Sequence, residues 1–262
     1  MSNPIVLFRE SLSDPGELGH CQKFFRTTDL RTECKDSLVI SRYSCLPYYE
    51  ELESDLLNLG SGLINSYEQH RWIANFEWYW DLKEHTPKTW TDNDFYRAPQ
   101  GKYIVKGRTN SKKAQWNTHM YASNKKEALC VASMLLQDSF IGPQGVVYRE
   151  YIPLKTFEVG INGIPFTNEH RFFFYKTIPL TWGYYWDCAE NTSVETPNEA
   201  FDFACEVAKI VSEHVNFFAL DIAETKEGEW ILIEVNDGQM SGLSVCPPDC
   251  LYRALKAAIR IL

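Results

Sequence analysis

Three side chains that could supply oxygen ligands recur along two alternating stretches in the segment FFALDIAETKEGEWILIEVND, near the end of the chain. If Glu227 and Gly228 form a two-residue hairpin turn, Asp221 lies directly opposite Glu234. Because side chains alternate faces along a strand, Asp221, Glu234 and Asn236 then share one face. The opposite face is uniformly apolar and consists of Phe218, Leu220, Ile222, Ile231, Ile233 and Val235.

Two carboxylates and an amide in adjacent positions suit Mg²⁺, a hard cation that takes few protein ligands and completes its octahedron with water and phosphate oxygens. A solvated hairpin face is the alternative, because charged residues commonly occupy exposed strand positions. The loop at residues 238–242 favours the metal site, since its free backbone N–H groups could bind an anion. The hairpin therefore predicts a magnesium site beside a phosphate.

Cationic side chains upstream could hold that phosphate. Lys106 ends the apolar strand at residues 102–106, and Lys112 and Lys113 lie in the polar loop at residues 107–117. As cations over a phosphate chain, these lysines would neutralise developing charge. The alternatives are an ordinary edge-strand lysine at position 106 and solvated lysines in the loop.

An arginine stands in an unusually apolar neighbourhood, because Arg171 precedes three phenylalanines at residues 172–174. A charge in such surroundings needs a partner, which is either Glu169 on the same strand face or a ligand phosphate. The cluster of Trp and Tyr at residues 182–186 is either a stacking surface for a substrate or core packing with one exposed edge.

The elements that must position these side chains begin with a strand–helix alternation in the first third of the chain, which predicts a small parallel sheet covered by helices. Arg9 and Arg42 fall at the carboxyl ends of two strands, where ligands bind in open α/β sheets, so each binds a carboxylate or phosphate or forms a surface ion pair. A helix is predicted to begin at Asp14 and Pro15. Strands are expected at residues 4–8, 37–41 and 62–65, and helices at residues 47–59 and 67–83.

The pattern changes after Thr86 and Pro87, and this pair marks a boundary because the residue before proline leaves the helical region. Longer strands and polar loops follow, together with three amphipathic helices. The strands are expected at residues 102–106, 146–152, 157–161 and 169–175 and in the hairpin, and the helices at residues 124–139, from 196 and from 249.

The composition of the 262-residue chain limits the kinds of partner and the cellular location that are expected. The net charge of −9 opposes non-specific binding to nucleic acid or to anionic membranes, so neither is expected as a partner. No stretch approaches the roughly 18 apolar residues of a membrane span, and the N-terminus lacks a signal-peptide pattern, so a cytoplasmic location is expected. The eight cysteines include no CxxC pair, and we expect free, mostly buried thiols.

The hairpin resembles the signature of the ATP-grasp superfamily, whose last metal-binding element reads Asp, then Glu-x-Asn, then a glycine-containing loop. The resemblance implies ATP and Mg²⁺ as cofactors, with Asp221, Glu234 and Asn236 as the metal ligands. It also implies that Lys106 contacts phosphate and that the loop at residues 107–117 covers it.

Two further segments fall in the order that this family shows. The run Glu150-Tyr151-Ile152 resembles the linker that recognises adenine through main-chain groups, with Glu150 near the exocyclic amine of the base. Glu158 stands where the family often has its ribose-binding acid.

The segment at residues 168–172 resembles a divergent clade of the superfamily named for one arginine and two lysines. That clade includes a eukaryotic factor that assists assembly of a translation initiation complex, together with bacterial and phage proteins. The resemblance makes Arg171 the arginine, and Lys106 and either Lys112 or Lys113 the lysines. The adjacent pair leaves the second lysine open.

Two positions depart from the pattern of many ATP-grasp ligases. Ala219 stands where those ligases place an arginine two residues before the first metal-binding Asp. An early lysine is also missing, since His70, Arg71 and Trp72 occupy that neighbourhood. Arg171 is the candidate replacement for the lost cation.

The resemblance implies an α/β (α+β) fold in which a small parallel α/β domain at residues 1–85 precedes two lobes with antiparallel sheets. The first lobe, residues 86–150, carries the phosphate-covering loop, and the second, residues 151–262, carries the metal-binding hairpin. The implied activity is that of an Mg-ATP-dependent ligase, which converts a carboxylate into an acyl phosphate that Arg171 stabilises and an amine attacks. The acid and the amine are unidentified, and a protein or peptide is among the candidate substrates. An ATP-binding assembly factor without turnover and a phosphotransferase are the alternatives.

Overall fold

The computed structural model describes residues 4–9 and 16–261. Its first part is a parallel sheet in the strand order β2-β1-β3-β4, as the strand–helix alternation predicts. The predicted helix start at Asp14 and Pro15 lies outside the described residues. The elements of this part are β1 (Ile5–Phe8), α1 (Glu17–Gln22), β2 (Arg26–Thr28), β3 (Leu38–Arg42), α2 (Tyr49–Asn58), β4 (Gly62–Leu63), α3 (Tyr67–Ala74) and α4 (Trp78–Leu82).

The second part is an antiparallel sheet in the order β5-β8-β6-β7, covered on one face by a helix. That helix, α6, begins after Asn124, whose side chain accepts a hydrogen bond from the backbone N–H of Glu127 and so satisfies one free donor of the first turn. The elements are β5 (Thr89–Thr91), β6 (Tyr103–Gly107), α5 (Trp116–His119), β7 (Tyr121–Ala122), α6 (Lys125–Leu135) and β8 (Val146–Glu150).

The third part contains a two-stranded hairpin and a four-stranded antiparallel sheet in the order β12-β11-β13-β14. The elements of this third part are β9 (Thr156–Val159), β10 (Pro165–Thr167), β11 (Glu169–Tyr175), β12 (Ile178–Tyr184), α7 (Asn198–Val211), β13 (Phe217–Glu224), β14 (Trp230–Asp237) and α8 (Pro248–Ile261).

Among the described residues, none of the helices has both the length and the apolar composition that a membrane span requires.

The four-stranded sheet separates two cores because its strands are apolar on both faces over part of their length. On one face, Phe172 and Leu220 pack with α7, whose Ala204 and Val211 are fully buried. On the other face, Phe173, Phe217 and Ala219 pack against α8 and against β1 and β3 of the parallel sheet. This second face is covered at one end only, which leaves its other end for polar side chains.

The parallel sheet and the two antiparallel sheets confirm the predicted fold class, but three local predictions were wrong. The helix expected at residues 67–83 is divided, because Phe76 has a positive φ of 66° and ends the helical run. Strand β10 and strand β12 were not predicted as separate elements. Each follows a short turn, and β10 is only three residues long, too short for an alternating pattern to be recognised.

The hairpin formed by β13 and β14 also differs from the predicted one. Its loop has three residues, 226–228, with Gly228 at a φ of 90°, instead of the two-residue turn. A bulge at Ile233 then restores the predicted pairing of Asp221 with Glu234. As a result Leu232, and not Ile231 or Ile233, is fully buried in the apolar core.

Candidate functional site

Polar side chains from three neighbouring strands meet at the open end of the four-stranded sheet. Arg171 on β11 pairs with Asp221 on β13, and Asp221 pairs in turn with Glu234 on β14. Cross-strand partners point to the same face, and Glu169 and Asn236 lie two residues away on that face. The predicted grouping of Asp221, Glu234 and Asn236 on one face is therefore present.

The centre of this group is a buried ion pair. Asp221 is fully buried, and its two carboxylate oxygens accept hydrogen bonds from Nε and Nη2 of Arg171 at 2.7 and 2.8 Å. Asn236 donates a further bond to Oδ2 of Asp221 at 3.1 Å. Burial disfavours the guanidinium charge, but the Asp221 carboxylate more than offsets this and raises the pKa of Arg171. Asp221, and not the expected Glu169, is thus the partner that the apolar neighbourhood requires.

Lys106 reaches the same group from the sheet of the second part. It lies on β6, an interior strand, is 5% exposed and contacts Oε1 of Glu234, which excludes an ordinary edge-strand lysine. Burial lowers the pKa of Lys106 and Glu234 opposes that shift, while Arg149 adds to it. Burial raises the pKa of Glu234, but Lys106 and Lys113 outweigh it, so the net shift is downward. The pair joins the two antiparallel sheets across the site.

The structure distinguishes the two adjacent loop lysines. Nζ of Lys113 contacts the hydroxyl of Tyr185 and lies 3.9 Å from the centre of its ring, beside Arg171. Burial opposes the charge of Lys113, but Tyr185 and the surrounding carboxylates raise its pKa. Lys112 instead pairs with Asp138 at 2.5 Å, with its side chain 35% exposed. Lys113 is therefore the lysine that joins the polar group.

Two large clefts open beside this group. One has a volume of about 1210 Å³ and is lined by Glu234, Asn236 and the loop that contains Lys112, and the other has a volume of about 1140 Å³ and is lined by Glu158 and Trp186. Five residues line both clefts and lie between them: Lys113, Ala114, Arg171, Tyr185 and Gly242.

The predicted adenine and ribose residues are not gathered with this group. Glu150 and Tyr151 line a smaller cavity of about 240 Å³, together with Trp90 and Tyr103. Ile152 is half-buried and lines none of these three cavities. Glu158 lines the 1140 Å³ cleft, where its Oε1 accepts a bond from the backbone N–H of Glu190 at 2.9 Å.

Two further buried groups of this region were not predicted as site residues. Burial raises the pKa of Glu169 to about 7, although Lys113 opposes the shift, and Oε1 of this carboxyl has no hydrogen-bond partner among the described residues. Nη2 of Arg149 is likewise buried without a partner in the described part of the chain, while its Nη1 donates to the backbone carbonyl of Ile233. Strand alternation places both side chains on the site faces, but the sequence alone does not show that they lack partners.

Three of the N–H groups of the glycine-containing loop are not free, contrary to the prediction for residues 238–242. The N–H groups of Gly238, Gln239 and Met240 donate to Phe217, to Asp237 and to Asp237 respectively, so they are engaged within the chain. The loop carbonyls serve as acceptors instead. Arg42, which is buried and bonded to Glu17 at 2.7 Å, donates to the carbonyls of Gly238 and Ser241 at 2.5 and 3.0 Å.

Arg42 therefore anchors this loop to the parallel sheet, in place of the ligand contact or surface ion pair that were expected. Arg9 lies with its guanidinium carbon 5.1 Å from the ring centre of Tyr43. In the tryptophan and tyrosine cluster, Tyr184 and Trp186 are core residues and Trp182 is 41% exposed, so most of the cluster is packing with one exposed edge. All eight cysteines are free, and four of them are buried.

The donor set fits Mg²⁺ only when a second source of oxygen ligands is present. Among the described residues, no group of three or more His, Cys, Asp or Glu side chains could hold a metal ion. Three carboxylates lie at the site: Asp221, Glu234 and Glu169. Four cationic side chains surround them: Lys106, Lys113, Arg149 and Arg171. This excess of positive charge disfavours a bare divalent cation and favours an anionic complex such as a metal-bound polyphosphate.

Comparison with known proteins agrees with this geometry. The model of an ATP-grasp domain family, family 3 of the clade named for one arginine and two lysines, matches residues 93–255, which is more than half of the chain. No curated protein is significantly similar in sequence.

The fold is similar to that of several solved structures. D-cycloserine synthetase DcsG shares 13% identity with a TM-score of 0.60, covering 99% of this chain and 100% of that chain. An ATP-grasp RimK domain protein from Sphaerobacter thermophilus shares 12% identity with a TM-score of 0.58, covering 96% and 99%. D-alanine–D-alanine ligase from Bacillus anthracis, complexed with ATP, shares 14% identity with a TM-score of 0.56, covering 97% and 90%. With a family match over more than half of its sequence and a fold of this type, the chain belongs to the arginine-and-two-lysine clade of ATP-grasp domains.

Proposed function

We propose that the protein is an Mg-ATP-dependent ligase that activates a carboxylate as an acyl phosphate for attack by an amine. The observation that carries the proposal is the convergence of three oxygen-bearing side chains on one sheet face with four cations from that face, from the neighbouring sheet and from the loop, beside two clefts. Such a group can bind a polyphosphate and stabilise the charge that develops on a transferred phosphoryl group. Membership of the ATP-grasp family supports the same nucleotide and reaction class.

In this proposal Asp221, Glu234 and Asn236 hold one or two Mg²⁺ ions. When bound, the ions would neutralise phosphate charge and align the reacting oxygens. A metal ion would compete with Arg171 for Asp221, because both oxygens of this carboxylate are bonded to the guanidinium in the structure. Lys106 would be freed from Glu234 in the same way and would turn to the phosphates.

The remaining nucleotide contacts are assigned by the family resemblance. Glu150, Tyr151 and Ile152 bind adenine, Glu158 binds ribose, and Lys106 and Lys113 contact the phosphates. We take residues 1–85, 86–150 and 151–262 as the N-terminal domain and the two ATP-grasp lobes. Nucleotide binding then requires the two lobes to move, since the cavity at Glu150 is separate from the clefts at Arg171.

Arg171 is one of the residues that line both clefts, and we assign it to the acyl phosphate. Its Nη1 donates to the carbonyl of Gly242 at 2.7 Å, so its position is fixed by the glycine-containing loop as well as by Asp221. After Asp221 turns to the metal, two guanidinium N–H groups become available for an oxyanion. A peptide or protein is our candidate for the acid or amine. An ATP-grasp ligase, PsnB, has been solved with its precursor peptide PsnA2 and AMPPNP, and is similar in fold at 12% identity and a TM-score of 0.57.

The test is ADP release and hydroxamate formation with Mg-ATP, hydroxylamine and a panel of carboxylic acids that includes the amino acids and short peptides. Hydroxylamine traps an acyl phosphate without the natural amine. We expect Asp221→Asn and Glu234→Gln to abolish both products, and Lys112→Ala to retain them. Full activity in both acidic-residue variants would refute the metal assignment.

A binding protein without turnover is the second candidate. It is favoured by the engagement of Asp221 within the chain, because its carboxylate already accepts three hydrogen bonds from Arg171 and Asn236. Calorimetry with Mg-ATP separates the two candidates when combined with the ADP assay. A pure binding protein would show affinity for Mg-ATP with no ADP for any acid.

A further inference from the structure

A histidine of the N-terminal part reaches the 1210 Å³ cleft. His70 lies on α3, is 3% exposed, and lines this cleft together with Arg171, Glu234 and Asn236. Its ring stacks on that of Tyr49, with the centroids 4.5 Å apart and the planes at 19°. The imidazole therefore has a fixed orientation at the edge of the proposed reaction site.

A buried carboxylate orients this ring. Nδ1 of His70 lies 3.2 Å from Oδ2 of Asp237. Asp237 also accepts bonds from Nδ2 of Asn65 at 2.8 Å and from the N–H of Gln239 at 2.9 Å. The hydroxyl of Tyr49 lies 3.2 Å from Oδ2 of Asp237 and 3.1 Å from the carbonyl oxygen of Asn65. Because a carboxylate oxygen accepts hydrogen bonds, the contact with Asp237 assigns the proton of the neutral imidazole to Nδ1 and the lone pair to Nε2.

The other ring nitrogen is available to a ligand. Within residues 4–9 and 16–261, Nε2 of His70 has no hydrogen-bond partner. This nitrogen is not completely buried. His170 provides the contrast, because its Nε2 bonds to Asn168 and its Nδ1 to Thr196, both at 2.9 Å. An imidazole that lines the cleft, is oriented by a carboxylate at one nitrogen and has no partner at the other among the described residues has the arrangement of a general base.

We propose that His70, oriented by Asp237, accepts the proton of the attacking amine. The inference rests on the proposed ligase function and assigns a residue to its second step. The amine nitrogen forms a bond to the acyl carbon, and the bond from that carbon to the phosphate oxygen breaks, so phosphate leaves with the electron pair. The proton that the nitrogen loses passes to Nε2 of His70, and water removes it when the product leaves. Asp237 is a positioning residue in this step.

Tyr49 offers a matched control because it binds the same oxygen of Asp237 at the same distance as His70 does. If the network only anchors the N-terminal part to the glycine-containing loop, loss of the Tyr49 hydroxyl and loss of the His70 ring nitrogen should have similar effects. If His70 is a base, only its replacement should impair the step that releases a proton.

The first experiment needs neither the carboxylic acid substrate nor a variant protein. The wild-type protein is treated with diethyl pyrocarbonate, which acylates an accessible, unprotonated imidazole nitrogen, and the sites are mapped by peptide mass spectrometry. We expect modification of His70 and none of His170, which is also buried. Resistance of His70 equal to that of His170 would overturn the proposal, because its Nε2 would then be inaccessible.

The second experiment compares two nucleophiles in wild type, His70→Gln and Tyr49→Phe. Hydroxylamine is largely unprotonated at neutral pH and is a strong nucleophile, so its attack depends little on a base even though its nitrogen also loses a proton. Glycine ethyl ester, ammonia and lysine are more basic amines that are mainly protonated at neutral pH, so their attack depends on proton removal. We expect His70→Gln to form hydroxamate at nearly the wild-type rate but to lose about 100-fold or more with the amines. Tyr49→Phe keeps the imidazole, so any loss of activity should be equal with hydroxylamine and with the amines.

The outcomes separate the two proposals. An equal loss with hydroxylamine and with amines in His70→Gln would assign His70 to an earlier step or to structure and would overturn the inference alone. Absence of both hydroxamate and ADP in the wild type would overturn the proposed ligase function instead, and with it the assigned step. Equal impairment of Tyr49→Phe and His70→Gln would also refute the role of a base.

Discussion

Replacement of Arg171 by methionine should destabilise the fold as strongly as any single substitution at the site. Asp221 is fully buried and the Arg171 side chain is 10% exposed, so water cannot replace the lost partner. The variant would leave the Asp221 carboxylate with the single amide of Asn236 as a hydrogen-bond donor. Removing one partner of a buried ion pair typically costs about 3–5 kcal/mol, and for a chain of this size that lowers Tm by roughly 6–20 °C.

The measurement is a double-mutant cycle with Arg171→Met, Asp221→Leu and the double variant, in which urea unfolding is followed by tryptophan fluorescence without nucleotide. Each single variant leaves one buried charge, whereas the double variant leaves none. We therefore expect the double variant to be more stable than either single one, because an apolar pair is often as stable as the ion pair that it replaces. Arg171→Lys is the control, since it keeps the charge but loses the two-point bond.

Two results would refute this reasoning. If Arg171→Met lowers the free energy of unfolding by less than about 1 kcal/mol, the pair contributes no more than a solvent-exposed ion pair does. That result would mean that water enters the site. Additive effects of the two single substitutions would mean that Arg171 and Asp221 do not act as a pair.

Three further predictions follow from the same contacts. Burial lowers the pKa of His170 from 6.5 to about 4, so between these pH values the unfolded chain binds a proton that the folded chain does not. The free energy of unfolding should therefore fall by up to about 3 kcal/mol as the pH falls from 6.5 to 4. Urea titrations should show this loss in wild type but not in His170→Gln. Lys113→Ala should weaken Mg-ATP binding at least about tenfold, because the ammonium group of Lys113 is buried beside Arg171. Lys112→Ala should change Mg-ATP binding little, since Lys112 pairs with Asp138 instead. Equal effects of the two substitutions in calorimetry would contradict the assignment. Mg²⁺ should bind weakly alone and tightly with ATP, since cations outnumber carboxylates at the site, and saturable binding of Mg²⁺ without nucleotide would disprove this charge argument.

Local patterns were enough to predict the parallel sheet, the amphipathic helices and the pairing of Asp221 with Glu234. They were also enough to identify the family, because the hairpin and the Arg171 segment are short and contiguous in sequence. The hairpin turn and its bulge were missed because an insertion on one strand compensates for a longer loop, and two such changes leave the final register unaltered.

The sequence by itself determined that Asp221, Glu234 and Asn236 share a face, because alternation along a strand is a property of the backbone. It did not determine the faces beyond the bulge at Ile233, where Leu232 is the buried residue. Only the tertiary structure decided which charges become partners. Asp221 and Arg171 are 50 positions apart, Lys106 and Glu234 are 128 apart, and His70 and Asp237 are 167 apart. Such pairs form because a buried charge must find an opposite charge or a donor wherever the chain packs, and that choice depends on how the sheets come together.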